Sequence, residues 1–65
     1  MVAEVKFKNN EFKKYTKAVY VGILVGHKDK LYIQTRNRGC VVETFIPLTD
    51  IDCYNVREPI WENGR

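Results

Sequence analysis

LYIQTRNRGCVVETFI, residues 31–46, decides the fold class of this chain. Up to Arg36, apolar and polar side chains alternate. Leu31, Ile33 and Thr35 fall on one side, and Tyr32, Gln34 and Arg36 on the other. That period of two is the mark of a strand half buried against a core. Residues 40–46, CVVETFI, are a second run of strand formers. Between the two runs, Arg36-Asn37-Arg38-Gly39 carries glycine at the last position of a type I turn. There Gly39 adopts the left-handed conformation that closes a three-residue hairpin with a bulge. The stretch therefore reads as a β-hairpin with Arg36 and Arg38 at its tip.

The pattern extends outward from this hairpin. In residues 3–8, AEVKFK, Ala3, Val5 and Phe7 alternate with Glu4, Lys6 and Lys8, and Asn9-Asn10 ends the run. In residues 11–17, EFKKYTK, Phe12 and Tyr15 lie three apart, a spacing that suits one short helical turn. Residues 18–25, AVYVGILV, are apolar on both faces and read as a central strand. Gly22 inside that run predicts a bend or bulge, as where a small sheet curls into a barrel. GHKDK, residues 26–30, is a polar turn. Pro47 ends the hairpin's second strand because it has no N–H to donate. PLTD, residues 47–50, fits a single 3₁₀ turn capped by Asp50, and IDCYNV, residues 51–56, is a fifth strand with Asp52 facing water. Residues 57–65 are a tail in which Ile60 and Trp61 are flanked by charge. These pieces predict an all-β fold, one domain spanning residues 1–65, built as a small five-stranded barrel with one short helical turn near residues 11–17. Closure would remove the edges a small sheet otherwise exposes. An open antiparallel sheet with one short helix packed on it is the alternative.

The order of pieces over residues 18–56 resembles the small SH3-like barrels and, within them, the Sm-like proteins. Gly22, Leu24 and Gly26 in GILVG look like the alternating glycine–leucine–glycine of the first Sm motif, with Asp29 as the acidic residue that follows. FIPLTDIDCY, residues 45–54, resembles that family's closing strands. Where the family carries an asparagine after the acidic residue, this chain has Lys30-Leu31-Tyr32. Where the family has an arginine–glycine pair after the second motif's isoleucine, Pro47-Leu48 follows Ile46. The resemblance implies a closed barrel, assembly into a ring and RNA binding.

Composition narrows the function classes. A chain of 65 residues buries too little surface to be stable without a strong core, a crosslink or self-association. Cys40 and Cys53 are too few for a disulfide framework and have no CxxC spacing, so they read as free thiols in the core. One histidine, His27, does not make a zinc site with them. Without a serine there is no serine nucleophile, and His27 reads as a solvated turn residue rather than a base for either cysteine. No GxGxxG or P-loop is present. The expectation is a non-enzymatic protein with no cofactor and no metal. No apolar run approaches a membrane span and the first residues do not form a signal peptide, which points to a cytoplasmic setting without a membrane partner.

Charge supplies the functional lead. Residues 1–38 hold nine Lys/Arg against three Asp/Glu, while residues 39–65 hold two Arg against five Asp/Glu. A lopsided chain of this kind presents a basic face to a polyanion. Tyr20 and Tyr32 fall on neighbouring strands, both turned away from the core positions, with Lys28, Lys30, Arg36 and Arg38 in the flanking turns. Lys6, Lys8, Lys13, Lys14 and Lys17 would extend the patch. Aromatic platforms beside basic side chains suit RNA or single-stranded DNA. The same residues also suit an ordinary outer face, with tyrosines that stabilise the sheet and lysines that protect its edges. The alternative function is a protein-interaction module, a small inhibitor or accessory subunit of the type phages and mobile elements encode, acting through its barrel surface and the tail residues Ile60 and Trp61. The other reading of Trp61 is that it folds back to plug an end of its own barrel. Self-association into a homo-oligomer fits either reading.

Overall fold

The alternation in residues 31–46 does fold into an antiparallel pair. In the computed structural model, which describes residues 1–58, Lys30–Asn37 and Cys40–Pro47 pair along their whole length, with Leu31 opposite Ile46 and Tyr32 opposite Phe45. In chain order the elements are β1 (Val2–Phe7), β2 (Phe12–Tyr15), β3 (Ala18–Gly22), β4 (Lys30–Asn37), β5 (Cys40–Pro47), the 3₁₀ turn η1 (Leu48–Asp50) and β6 (Ile51–Arg57). They form two three-stranded antiparallel sheets, ordered β2-β1-β6 and β3-β4-β5. The fold is all-β, and no described helix is long and apolar enough to cross a membrane.

The core lies between the sheets. Ala3 and Val5 of β1, Ala18 of β3, Leu31 and Ile33 of β4, Ile46 of β5 and Ile51 of β6 are buried together. Phe7, Tyr15, Val21 and Leu48 pack around them, half-buried. Leu31 and Ile33 are fully enclosed because β4 is the middle strand of its sheet, as β1 is of the other. This places every odd-numbered residue from Leu31 to Thr35 inward and every even-numbered one outward, as the alternation requires.

Several expectations are corrected. The barrel does not close, and six strands stand where five were expected. The extra strand is residues 12–15, expected to be a helical turn. Ala3 pairs with Tyr15 and Lys6 with Phe12, so β2 lies along the free edge of β1. Residues three apart point to opposite faces of a strand. Accordingly Tyr15 packs on the core while Phe12 is 60% exposed. Where the sheets approach, β1 and β3 form no ladder; the N-terminal ammonium of Met1, just ahead of β1, donates to Ala18 O at 3.1 Å.

The apolar run 18–25 is an edge strand that stops at Gly22, and Ile23 to Gly26 leave the sheet for a turn closed by His27 N donating to Leu24 O. The bulge of this strand lies at Val19, between Ala18 and Tyr20, and not at Gly22. Gly26, placed on a strand by the Sm-like pattern, sits in that turn. The Arg36–Gly39 turn is a two-residue loop. Asn37 pairs with Cys40, and Arg38 and Gly39 hold φ of 54° and 79°. Positive φ at both central residues is the type I′ arrangement, whose twist matches that of the flanking strands.

The 3₁₀ turn forms at residues 48–50, but no side chain caps it. Asp50 contributes its carbonyl oxygen, which accepts from Lys8 N at 2.9 Å. Cys40 and Cys53 are free but exposed, not core residues. Asp52 does face solvent, 3.8 Å from Lys6. The tail residues Ile60 and Trp61 lie outside the described residues.

Candidate nucleic-acid interface

The register of the second sheet fixes what its outer face carries. Gly22, Tyr32 and Phe45 form one cross-strand row, and Tyr20, Gln34 and Glu43 form the next. At one end of β4 stands Lys30, opposite Pro47, and at the other Arg36, opposite Val41. Arg36 lies six positions along the strand from Lys30, so the two cations bracket the rows by about 20 Å.

The aromatic groups on this face touch. Tyr20 and Tyr32 have ring centroids 5.8 Å apart, Tyr32 and Phe45 5.1 Å, and Phe45 and His27 5.0 Å, each pair tilted between 53° and 55°. These separations lie within the range of favourable aromatic contacts. Tyr32, in the middle, is only 5% exposed, while Tyr20 and Phe45 on either side are 47% and 39% exposed. Tyr20 lies low because Gly22 has no side chain. A Cβ at residue 22 would sit 3.2 Å from the Tyr20 hydroxyl and 3.3 Å from its ring.

Polar side chains lock the middle of the row. Tyr32 donates its hydroxyl hydrogen to Glu43 Oε2 at 2.8 Å, and Gln34 Nε2 donates to the same hydroxyl at 2.9 Å. Burial pushes the Tyr32 hydroxyl above the ordinary tyrosine range, and the bond to Glu43 adds to that shift. Tyr32 therefore stays neutral and fixes the groups on both sides of it.

Of the residues singled out in the sequence, Tyr20, Lys30, Tyr32 and Arg36 share this face. Lys28 and Arg38 extend from the turns beyond its two ends and are exposed. Lys30 Nζ lies 3.2 Å from Asp29, whose carboxyl it holds below the usual carboxylate range by hydrogen bonding. Lys17 reaches the same end as Arg38, donating to Asn37 Oδ1 at 3.0 Å. The remaining N-terminal lysines do not join the patch, because Lys6, Lys13 and Lys14 belong to strands of the other sheet and Lys8 to the turn after β1.

Three contributors were not identified from sequence: Phe45, Glu43 and His27's contact with Phe45. The signal for the first two is the hairpin register. A three-residue loop displaces the pairing by one position and turns each partner to the wrong face. The two-residue loop puts Phe45 beside Tyr32. No known protein family, curated protein or solved structure matches this chain.

Proposed function

We propose that this chain is a non-enzymatic binding protein that holds single-stranded nucleic acid, RNA or DNA, across the outer face of β3-β4-β5. The observation that carries this reading is the pair of half-exposed rings, Tyr20 and Phe45, on either side of a locked Tyr32 and bracketed by Lys30 and Arg36. Bases stack on exposed rings whatever their identity, and lysine and arginine offset phosphate charge. A three-stranded sheet supports the rings rigidly, which limits the ordering cost of binding. No cofactor enters this reading, and the setting it suits is cytoplasmic. The test is fluorescence anisotropy of a labelled ten-nucleotide single strand. Affinity is expected to fall steeply with salt, and Tyr20→Ala and Phe45→Ala each to weaken binding about tenfold, from a stacking contribution of ~1–3 kcal/mol per base. Binding that ignores both substitutions would overturn the assignment.

A second reading, a protein-interaction module that self-associates, rests on a separate observation. Val42, Tyr54 and Val56 occupy inward positions of β5 and β6 yet are about half exposed. β5 and β6 are edge strands, and an edge strand with apolar side chains is a template for another chain. Under this reading the copy that covers them is a second molecule of the same protein, and Ile60 and Trp61 would add to the contact.

A further inference from the structure

The outer face of β3-β4-β5 is basic at its ends, yet one carboxylate stands in its middle. Glu43 is exposed, and among the described residues no lysine or arginine forms an ion pair with it. A lone carboxylate there lowers affinity for any phosphate backbone, so on electrostatic grounds alone it is misplaced. It is also held: Tyr32 donates to Oε2, and Gln34 in turn donates to Tyr32. The chain of donation runs in one direction, Gln34 to Tyr32 to Glu43. Tyr32's hydrogen is therefore committed, and the amide carbonyl of Gln34 is the arm turned away from that hydroxyl.

The carboxylate is acceptor-only and has about four lone-pair positions, of which Tyr32 occupies one. Tyr20, Gln34 and Glu43 form one cross-strand row. Their backbones therefore lie two strand spacings apart, about 10 Å, and the Tyr20 ring leans toward Gly22 in the neighbouring row, against Tyr32. A base stacked on that ring would turn one edge toward Glu43 across Tyr32 and Gln34, the hydrogen-bonded pair beside the carboxylate. In a single strand that edge includes the Watson–Crick edge, which is unpaired and readable.

We infer that Glu43, fixed by the Gln34–Tyr32 hydrogen bonds, makes this face selective for guanine in the single strand it binds. Guanine presents two adjacent donors on its Watson–Crick edge, N1–H and the 2-amino group, which match the two oxygens of a carboxylate. Adenine and cytosine each set one amino donor beside a ring-nitrogen acceptor, and uracil or thymine sets one N–H between two carbonyl acceptors. Each of these puts a lone pair against Glu43, which is the repulsive half of specificity. The inference rests on the nucleic-acid reading above and adds base identity to it.

The experiment uses the full chain and labelled ten-nucleotide thymidine strands with one central guanine, adenine, cytosine, thymine or hypoxanthine, each also made as the uridine-based RNA. Guanine is expected to bind about tenfold tighter than thymine, in line with ~1–3 kcal/mol for a good bidentate base contact. Hypoxanthine, which lacks the 2-amino group, should lose most of that advantage. In Glu43→Gln, and in Tyr32→Phe with strand content checked by circular dichroism, the guanine-to-thymine ratio should collapse toward one. Equal affinity for all five strands would overturn the guanine assignment and leave the nucleic-acid reading standing. A guanine preference that survives Glu43→Gln would overturn the role of Glu43. Binding to none of the strands would overturn both readings, and the DNA and RNA series distinguish which backbone carries the base.

Discussion

Arg38 holds φ at 54°, in the left-handed region, beside Gly39 at 79°. For a residue with a Cβ this conformation costs about 1 kcal/mol or more, and asparagine tolerates it better. Arg38→Asn creates the Asn-Gly pair favoured in type I′ turns. It is expected to raise the urea midpoint, with a gain of about 1 kcal/mol, while lowering nucleic-acid affinity slightly through the lost charge. A stability gain with no loss of binding would show that Arg38 serves the turn alone. A second expectation concerns the first sheet. Arg57 donates to Glu4 Oε2 at 3.0 Å, and this bond holds the Glu4 carboxyl below its ordinary value of 4.5. A depressed folded pKa contributes stability that is present above the unfolded value and lost as pH falls through the folded one. Asp29, lowered by its bond to Lys30, has the same sign. Stability should therefore decline below about pH 4.5, and Glu4→Gln should flatten part of that decline in urea titrations run from pH 6 to pH 3. Tyr32 has the opposite sense. Its raised pKa makes the neutral form part of the fold, so the loss comes as pH rises through the folded value. Absorbance at alkaline pH, taken as the difference between wild type and Tyr32→Phe, should place this hydroxyl above the ordinary tyrosine range.

At the scale of elements, β3 shows how one glycine serves both the sheet and the seating of the Tyr20 ring. A Cβ at Gly22 would press on the Tyr20 ring at 3.3 Å, and Tyr20 is a half-exposed side chain that is able to shift. Replacing a strand glycine also removes unfolded-state entropy, worth about 0.5–1 kcal/mol. Gly22→Ala is thus expected to leave stability within about 0.5 kcal/mol of wild type and yet to weaken nucleic-acid binding, because the ring no longer lies low over the sheet. Equal affinity would mean that the position of the Tyr20 ring does not matter. The sequence made five of the six strands legible, since period-two alternation survives wherever one face is buried, as in Ala3-Glu4-Val5 and Leu31-Tyr32-Ile33. It hid β2, because Phe12 and Tyr15 are both aromatic but face opposite ways, which imitates helical spacing. It overstated residues 18–25, because a continuous apolar run reports hydrophobicity and not pairing, and pairing stops at Gly22. Half of the candidate site was readable: the outward placement of Tyr20, Tyr32 and the bracketing cations follows from alternation. Phe45 and Glu43 depend on a register that the choice of a two-residue loop sets, and loop type turned on Arg38 accepting a conformation its residue type disfavours.

At the scale of the whole molecule, a small core and an incomplete covering go together. Among the described residues seven form the buried cluster between the sheets, so truncating Leu31 or Ile33 to alanine, each fully enclosed, should cost about 2–5 kcal/mol, a large share of the stability of a domain this small, read as a lower urea midpoint. The same shortage appears along β5 and β6. Val42, Tyr54 and Val56 are on the inward face of their sheets, where a closed barrel would have covered them, and instead they meet solvent. Under the self-association reading a second copy supplies the cover, since among the described residues both strands are sheet edges and a self-complementary contact needs no other partner. The expected behaviour is an apparent mass that rises with protein concentration in light scattering, together with a melting temperature that rises in parallel. Tyr54→Lys combined with Val56→Lys should give a monomer at every concentration, with its strand content kept, because neither residue belongs to the buried cluster. Nucleic-acid binding by that variant separates the two surfaces. Binding at wild-type affinity would mean that the outer face of β3-β4-β5 works in a single copy. A parallel loss of binding and association would mean that the strand is held across two copies, with one aromatic row from each.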